Sequence, residues 1–181
     1  MNKARIGLIT GPVGVGKTTV AERVVSLAKR QGQVCGGLLA PAIKDGRGEK
    51  MGIWGVDIRT GERRTLGVVH TDRDLGGPAI GPYSFDAQAL AWAVMVIRSA
   101  FRPCDLVVVD EIGKLELWQG VGLASILPRL TAGEAARSLI VVRDSLLAEL
   151  QVRLGSIQQV VFEVSEENRM DLPPRILERL V

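Results

Sequence analysis

Cysteine and histidine are nearly absent from this chain: 181 residues contain two cysteines, Cys35 and Cys104, and one histidine, His70. The cysteines have no CxxC neighbour and no histidine at ligand spacing, which excludes a zinc site and leaves both thiols expected as reduced core or near-core residues. Long apolar runs are missing too. The longest, Ala89 to Ile97, falls far short of the roughly 20 residues that span a bilayer. Lys3 and Arg5 precede an apolar stretch, but a glycine loop and Lys17 interrupt it, so neither a signal peptide nor a membrane partner is expected and a cytoplasmic location is. Charge of one sign is also scarce. Lys and Arg number 23 against 20 Asp and Glu, a net +3, which allows nucleic-acid binding without indicating it. With 46% hydrophobic and 24% charged residues, and no repeat or low-complexity linker, residues 1–181 are expected to form one domain with a substantial core. Oligomeric state is left open.

What is present begins at once. Arg5-Ile-Gly-Leu-Ile-Thr10 reads as a strand and runs into Gly11-Pro12-Val13-Gly14-Val15-Gly16-Lys17-Thr18-Thr19, a G-x-x-x-x-G-K-T loop followed by a helical pattern to about Arg30. That is a P-loop in its confirming context. Gly11, Gly14 and Gly16 let the backbone turn its amides inward at a helix N-terminus, whose partial positive charge suits a phosphate chain. Lys17 is expected to reach the β- and γ-phosphates, and the Thr18 hydroxyl to ligate Mg²⁺. A glycine turn that binds nothing would have no need of a buried Lys17.

Strands and helices then alternate. A second strand covers Val34 to Ala40, and Glu49 to Ile58 with Glu62 to Val69 flank Arg59-Thr-Gly61 as an antiparallel hairpin inserted at about 49–69. His70 to Pro82, rich in glycine and proline, reads as an irregular loop, and Ser84 to Phe101, apolar on nearly every side, as a deeply buried helix. Leu106 to Val109 is a strand for the centre of a parallel sheet, with helix through about Leu130. Leu139 to Val142 and Val160 to Val164 are the last strands. Asp144 and Gly155 bound a helix between them, and a terminal helix follows with Pro173 and Pro174 in its first turn. Such alternation implies an α/β fold, a mainly parallel sheet with helices on both faces and ligands at the carboxyl ends of its strands.

The second chemical signal lies at that edge. The apolar strand delivers Asp110-Glu111, so the nucleotide site is expected to draw on Val107, Val108, Val109, Asp110 and Glu111. Asp110 has the place of a Walker-B metal ligand, and Glu111, pointing differently, can polarise an attacking water. Arg143 ends the next strand; it faces the γ-phosphate as a finger or sensor, or is a solvated strand-end arginine. Lys114 and Glu116 orient Glu111 or begin a helix. Asn168-Arg169 flank the base or cap a helix.

Asp110-Glu-Ile-Gly-Lys-Leu-Glu-Leu117, taken with the P-loop, Gly81-Pro-Tyr-Ser-Phe-Asp86 and Ser165-Glu-Glu-Asn-Arg169, resembles the thermophilic-type nucleoside-triphosphatase family, which includes the cancer-related nucleoside-triphosphatase. The resemblance covers nearly the whole chain. It implies a RecA-like P-loop fold with an additional strand, and Mg²⁺-dependent hydrolysis of several nucleoside triphosphates to diphosphate and phosphate. Leu115 stands where the family often has Met, a volume-conserving exchange. The expected catalytic set is Lys17, Glu111 and Arg143. A nucleoside or nucleotide kinase, and a regulatory module that hydrolysis only resets, are the other readings. Glu111 beside Asp110 favours water as nucleophile. With no Asn/Thr-Lys-x-Asp motif, a guanine-specific switch is disfavoured, and base selectivity is expected to be weak.

Overall fold

A computed structural model describes residues 5–69 and 74–180. Parallel strands form one half of a single sheet and antiparallel strands the other. In chain order the elements are β1 (Arg5–Thr10), α1 (Lys17–Arg30), β2 (Cys35–Leu39), β3 (Ala42–Lys44), β4 (Lys50–Asp57), β5 (Arg63–Val69), β6 (Gly76–Ile80) and β7 (Tyr83–Asp86). Then come α2 (Ala87–Ala100), β8 (Leu106–Ile112), α3 (Lys114–Gln119), α4 (Leu127–Thr131), β9 (Arg137–Val142), α5 (Leu147–Leu154), β10 (Gln159–Glu163) and α6 (Leu172–Leu180). Short 3-10 turns at Gly122–Ile126 and Asp144–Leu146 lead into α4 and α5. The sheet order is β10-β1-β9-β8-β2-β4-β5-β7-β6, with β3 beside β4.

The sequence explains the parallel half directly. Strands covered on both faces need apolar side chains on both. Along β8, Val107 and Val109 pack in a core with α2 residues such as Trp92 and Ile97, whereas Val108 packs in the opposite core with Val20 and Val24 of α1 and Ile176 of α6. β1 lies between β9 and β10, and β8 between β9 and β2, all parallel. The carboxyl ends of β1, β8 and β9 therefore share one edge, where Gly11, Glu111 and Arg143 emerge. No described helix is long and apolar enough to cross a membrane.

The antiparallel half is larger than a hairpin at 49–69. It runs from Ala42 to Asp86 and includes β6 and β7, where glycine and proline suggested an irregular loop; the His70 end of that loop lies outside the described residues. A Cβ on Gly77 would sit 2.3 Å from the Phe85 carbonyl oxygen, so this glycine permits close strand approach instead of breaking a strand. Pro78 is tolerated because β6 is the sheet's edge. The expected helix from Ser84 is corrected as well. Tyr83 to Asp86 pair with β5 and β6, and the Asp86 carboxylate accepts from the Ala89 N–H at 2.7 Å, so the helix starts at Ala87. Nor is it buried all round: Met95 is 62% exposed on its outer side.

Candidate active site

β1 ends at Thr10, and the P-loop is shaped by three glycines of positive φ, Gly11 at 141°, Gly14 at 83° and Gly16 at 105°. Gly11 is also constrained by space: a Cβ there would lie 2.7 Å from the Val164 carbonyl oxygen after β10. Pro12, Val13 and Gly14 form the exposed crest, Val15 and Gly16 are half-buried, and Thr19 points outward. Lys17, the first residue of α1, is 7% exposed. Its ammonium donates to the carbonyls of Gly11 and Pro12, each at 2.7 Å, and so sits beneath the loop's crest. Burial lowers its pKa, while the nearby Glu111 carboxylate works the other way.

Asp110 is the deepest acid of the edge, 1% exposed. Its carboxylate accepts from the Ala40 N–H at 3.0 Å, and the Thr18 hydroxyl is near enough to favour its ionised form. The two residues expected at a metal therefore lie near one another, one on β8 and one on α1. Burial pushes Asp110 up to about 7, with the hydrogen bond from Ala40 and the nearby Thr18 hydroxyl acting against it. A divalent cation would favour the ionised form. A hydroxyl and one carboxylate are hard oxygen donors of the type magnesium takes. Among the described residues no three His, Cys, Asp or Glu cluster as a metal site, so a cation here needs phosphate and water oxygens to complete its shell.

Glu111 leaves Asp110 on a different heading. Register along β8 and β9 shifts between Asp110 and Ile112, and such an irregularity re-aims a side chain. Glu111 is half-buried, and its Oε1 accepts from Arg143 Nε at 3.1 Å. Arg143 thus lies beside Glu111 at the sheet edge, its side chain one-third exposed. Their sequence separation gave no signal of this pairing. Val107, Val108 and Val109 require a correction: all three are fully buried and have no surface to offer a nucleotide. They deliver Asp110 to the edge.

Three features went unforeseen in detail. The Asn168 side chain ties its own loop together, accepting from the Ser165 N–H at 2.9 Å and donating to the Glu163 carbonyl at 2.9 Å. This loop carries Arg169 over the P-loop, where a Cβ on Gly16 would lie 3.6 Å from Arg169 Cδ and 3.8 Å from Nη1. The N-cap of α3 is Gly113, held by the buried Glu116. Burial raises the Glu116 pKa, opposed by hydrogen bonds from the Gly113 and Leu123 N–H groups.

The family model described as NTPase matches residues 7–177. The nucleoside-triphosphatase THEP1 of Methanopyrus kandleri is 30% identical over 174 residues, covering 96% of this chain and 94% of that protein. The protein of the same name from Thermofilum pendens is 30% identical over 170 residues, 93% and 91% of the two chains. The crystal structure of THEP1 from Aquifex aeolicus superposes with a TM-score of 0.70 over 97% of this chain and 98% of that one; at 24% identity the likeness concerns the fold. With its P-loop, acidic strand end and arginine converging at one sheet edge, the chain belongs to the NTPase family, alongside the THEP1 nucleoside-triphosphatases.

Proposed function

We propose that this chain hydrolyses nucleoside 5′-triphosphates, ATP, GTP, CTP and UTP alike, to the diphosphate and phosphate, in the cytoplasm and with Mg²⁺ as the nucleotide's companion ion. The observation that carries the reading is the meeting of Glu111 with Arg143 beside a P-loop whose Lys17 is buried under its own carbonyls. The amides from Gly11 to Thr19 receive the phosphate chain, and Lys17 exchanges its carbonyl partners for phosphate oxygens. Thr18 and Asp110 would hold Mg²⁺, which when bound supplies positive charge to the β- and γ-phosphate oxygens. Glu111 orients a water and accepts its proton. Arg143, held sideways through Nε, directs its terminal amino groups to the charge that develops on the γ-phosphate. Arg169 lies over the start of α1 and contacts the nucleotide by stacking or by one adaptable hydrogen bond, which discriminates poorly between bases.

Phosphate release from the four nucleotides, with and without nucleoside and nucleotide acceptors, tests this reading. The expected kcat/KM values lie within about two orders of magnitude of one another, the scale of pockets that do not pair with one base edge. A preference several decades larger, or phosphoryl transfer to an acceptor, would overturn it.

A further inference from the structure

Glu116, the third acid of the Asp110–Leu117 signature, is 5% exposed although it lies on a helix of only six residues. Each carboxylate oxygen is engaged by a different backbone N–H: Oε2 accepts from Gly113 at 2.9 Å and Oε1 from Leu123 at 3.1 Å. The first bond is one half of a capping box, the glutamate at the third helical position reaching back to the N-cap N–H, since Gly113 has no side chain to supply the other half. The second is no part of it, because Leu123 lies beyond α3, in the 3-10 turn. One side chain therefore fastens the exit of β8 to the element that follows α3. Gly122 is shaped around it: with φ at 60°, a Cβ there would be 2.6 Å from Glu116 Oε1.

The fastened point adjoins the catalytic acid. A Cβ on Gly113 would lie 3.6 Å from Glu116 Oε2 and 3.7 Å from Glu111 Oε1, so the two carboxylates approach the same backbone position. Two like charges so placed repel, and only fixed donors keep one of them there. We infer that Glu116 is a positioning residue for hydrolysis: by holding the Gly113 and Leu123 amides together it fixes the β8 exit, and with it the Glu111 carboxylate against Arg143. The inference rests on Glu111 acting on water as proposed above.

A double-mutant cycle on the full chain tests it, with single-turnover phosphate release and nucleotide affinity measured for the parent, Glu111→Gln, Glu116→Gln and the double variant. An amide has one acceptor oxygen for two N–H groups and turns an NH₂ against the other, so Glu116→Gln loosens the clasp at constant shape. The expected rate loss is about 10- to 100-fold, as misplacement of a catalytic group by about an ångström gives, with affinity changed by less than about twofold. In the Glu111→Gln background the same substitution should cost less than about threefold, because the group it positions is already disabled. Gly122→Ala, which leaves the carboxylate in place and presses on Oε1, should give the same pattern and serves if Glu116→Gln does not fold. Equal losses in both backgrounds, an unchanged rate, or rate and affinity falling together would overturn the inference while leaving Glu111's role intact. Glu111→Gln turning over at the parental rate would instead overturn the assignment of Glu111, and the inference with it.

Discussion

Replacing Arg143 by alanine separates a structural contact from a catalytic one by magnitude. Arg143 and Glu111 are 3.1 Å apart, with side chains 33% and 32% exposed. At that exposure solvent screens the pair, and its contribution to folding is about 1 kcal/mol or less. If orienting Glu111 were its whole purpose, Arg143→Ala would lower kcat by roughly tenfold, the scale of one displaced hydrogen-bonded group. An arginine that meets charge developing on a transferring phosphoryl group is worth far more, about 10³- to 10⁵-fold in kcat. Arg143→Ala should therefore lower kcat by at least about 10³-fold, with nucleotide affinity changed by less than about tenfold, since the contact strengthens chiefly in the transition state. Arg143→Lys should recover only part of the loss, because an ammonium cannot hold Glu111 sideways and reach forward together. Steady-state phosphate release and equilibrium nucleotide binding on the same preparations give both quantities. A kcat within about tenfold of the parent in a folded Arg143→Ala protein would refute the transition-state role.

Lys17→Ala should abolish measurable turnover while the loop keeps its glycines and the fold its melting temperature, because the buried ammonium that tracks the γ-phosphate is gone; unchanged phosphate release would refute the P-loop assignment. Asp110 gives a pH signature in protein free of nucleotide and divalent cation. Burial holds its folded-state pKa near 7 against 3.8 as the ordinary value, so between these the folded state retains a proton that the unfolded chain has lost. This group's contribution to stability therefore falls as pH rises from about 4 to about 7 and levels off above, by about 4 kcal/mol in all. Denaturant titrations of parent and Asp110→Asn across that range should show the decline in the parent and a flatter profile in the variant; parallel profiles would contradict it.

What the sequence discloses and what it conceals divide by distance along the chain. The P-loop and the apolar run into Asp110-Glu111 are local, since glycine, lysine and acid occur at spacings whose geometry is the same wherever they occur. Alternating strands and helices foretold the parallel half because its strands had to be apolar on both faces. Edge strands were concealed: Gly77 and Pro78 read as loop formers, yet in β6 one permits close approach and the other needs no partner for its missing N–H. Contacts between distant residues were concealed too. Arg143 with Glu111, Arg169 over Gly16 and Glu116 with Leu123 are products of packing, and no spacing announces them. Val107 to Val109 fell on the right strand, but their burial shows that a motif's carrier strand is not its contact surface.

The central claim is that Glu111 directs water at the γ-phosphate. Hydrolysis of ATP in ¹⁸O-enriched water by the parent and by Glu111→Gln, with the released phosphate and the ADP weighed by mass spectrometry, tests it most directly. One ¹⁸O atom from solvent in each phosphate and none in ADP, together with loss of release but retained nucleotide binding in Glu111→Gln, is the result this mechanism requires. Label in ADP, a γ-phosphoryl group recovered on another acceptor, or labelled phosphate from Glu111→Gln at the parental rate would contradict it.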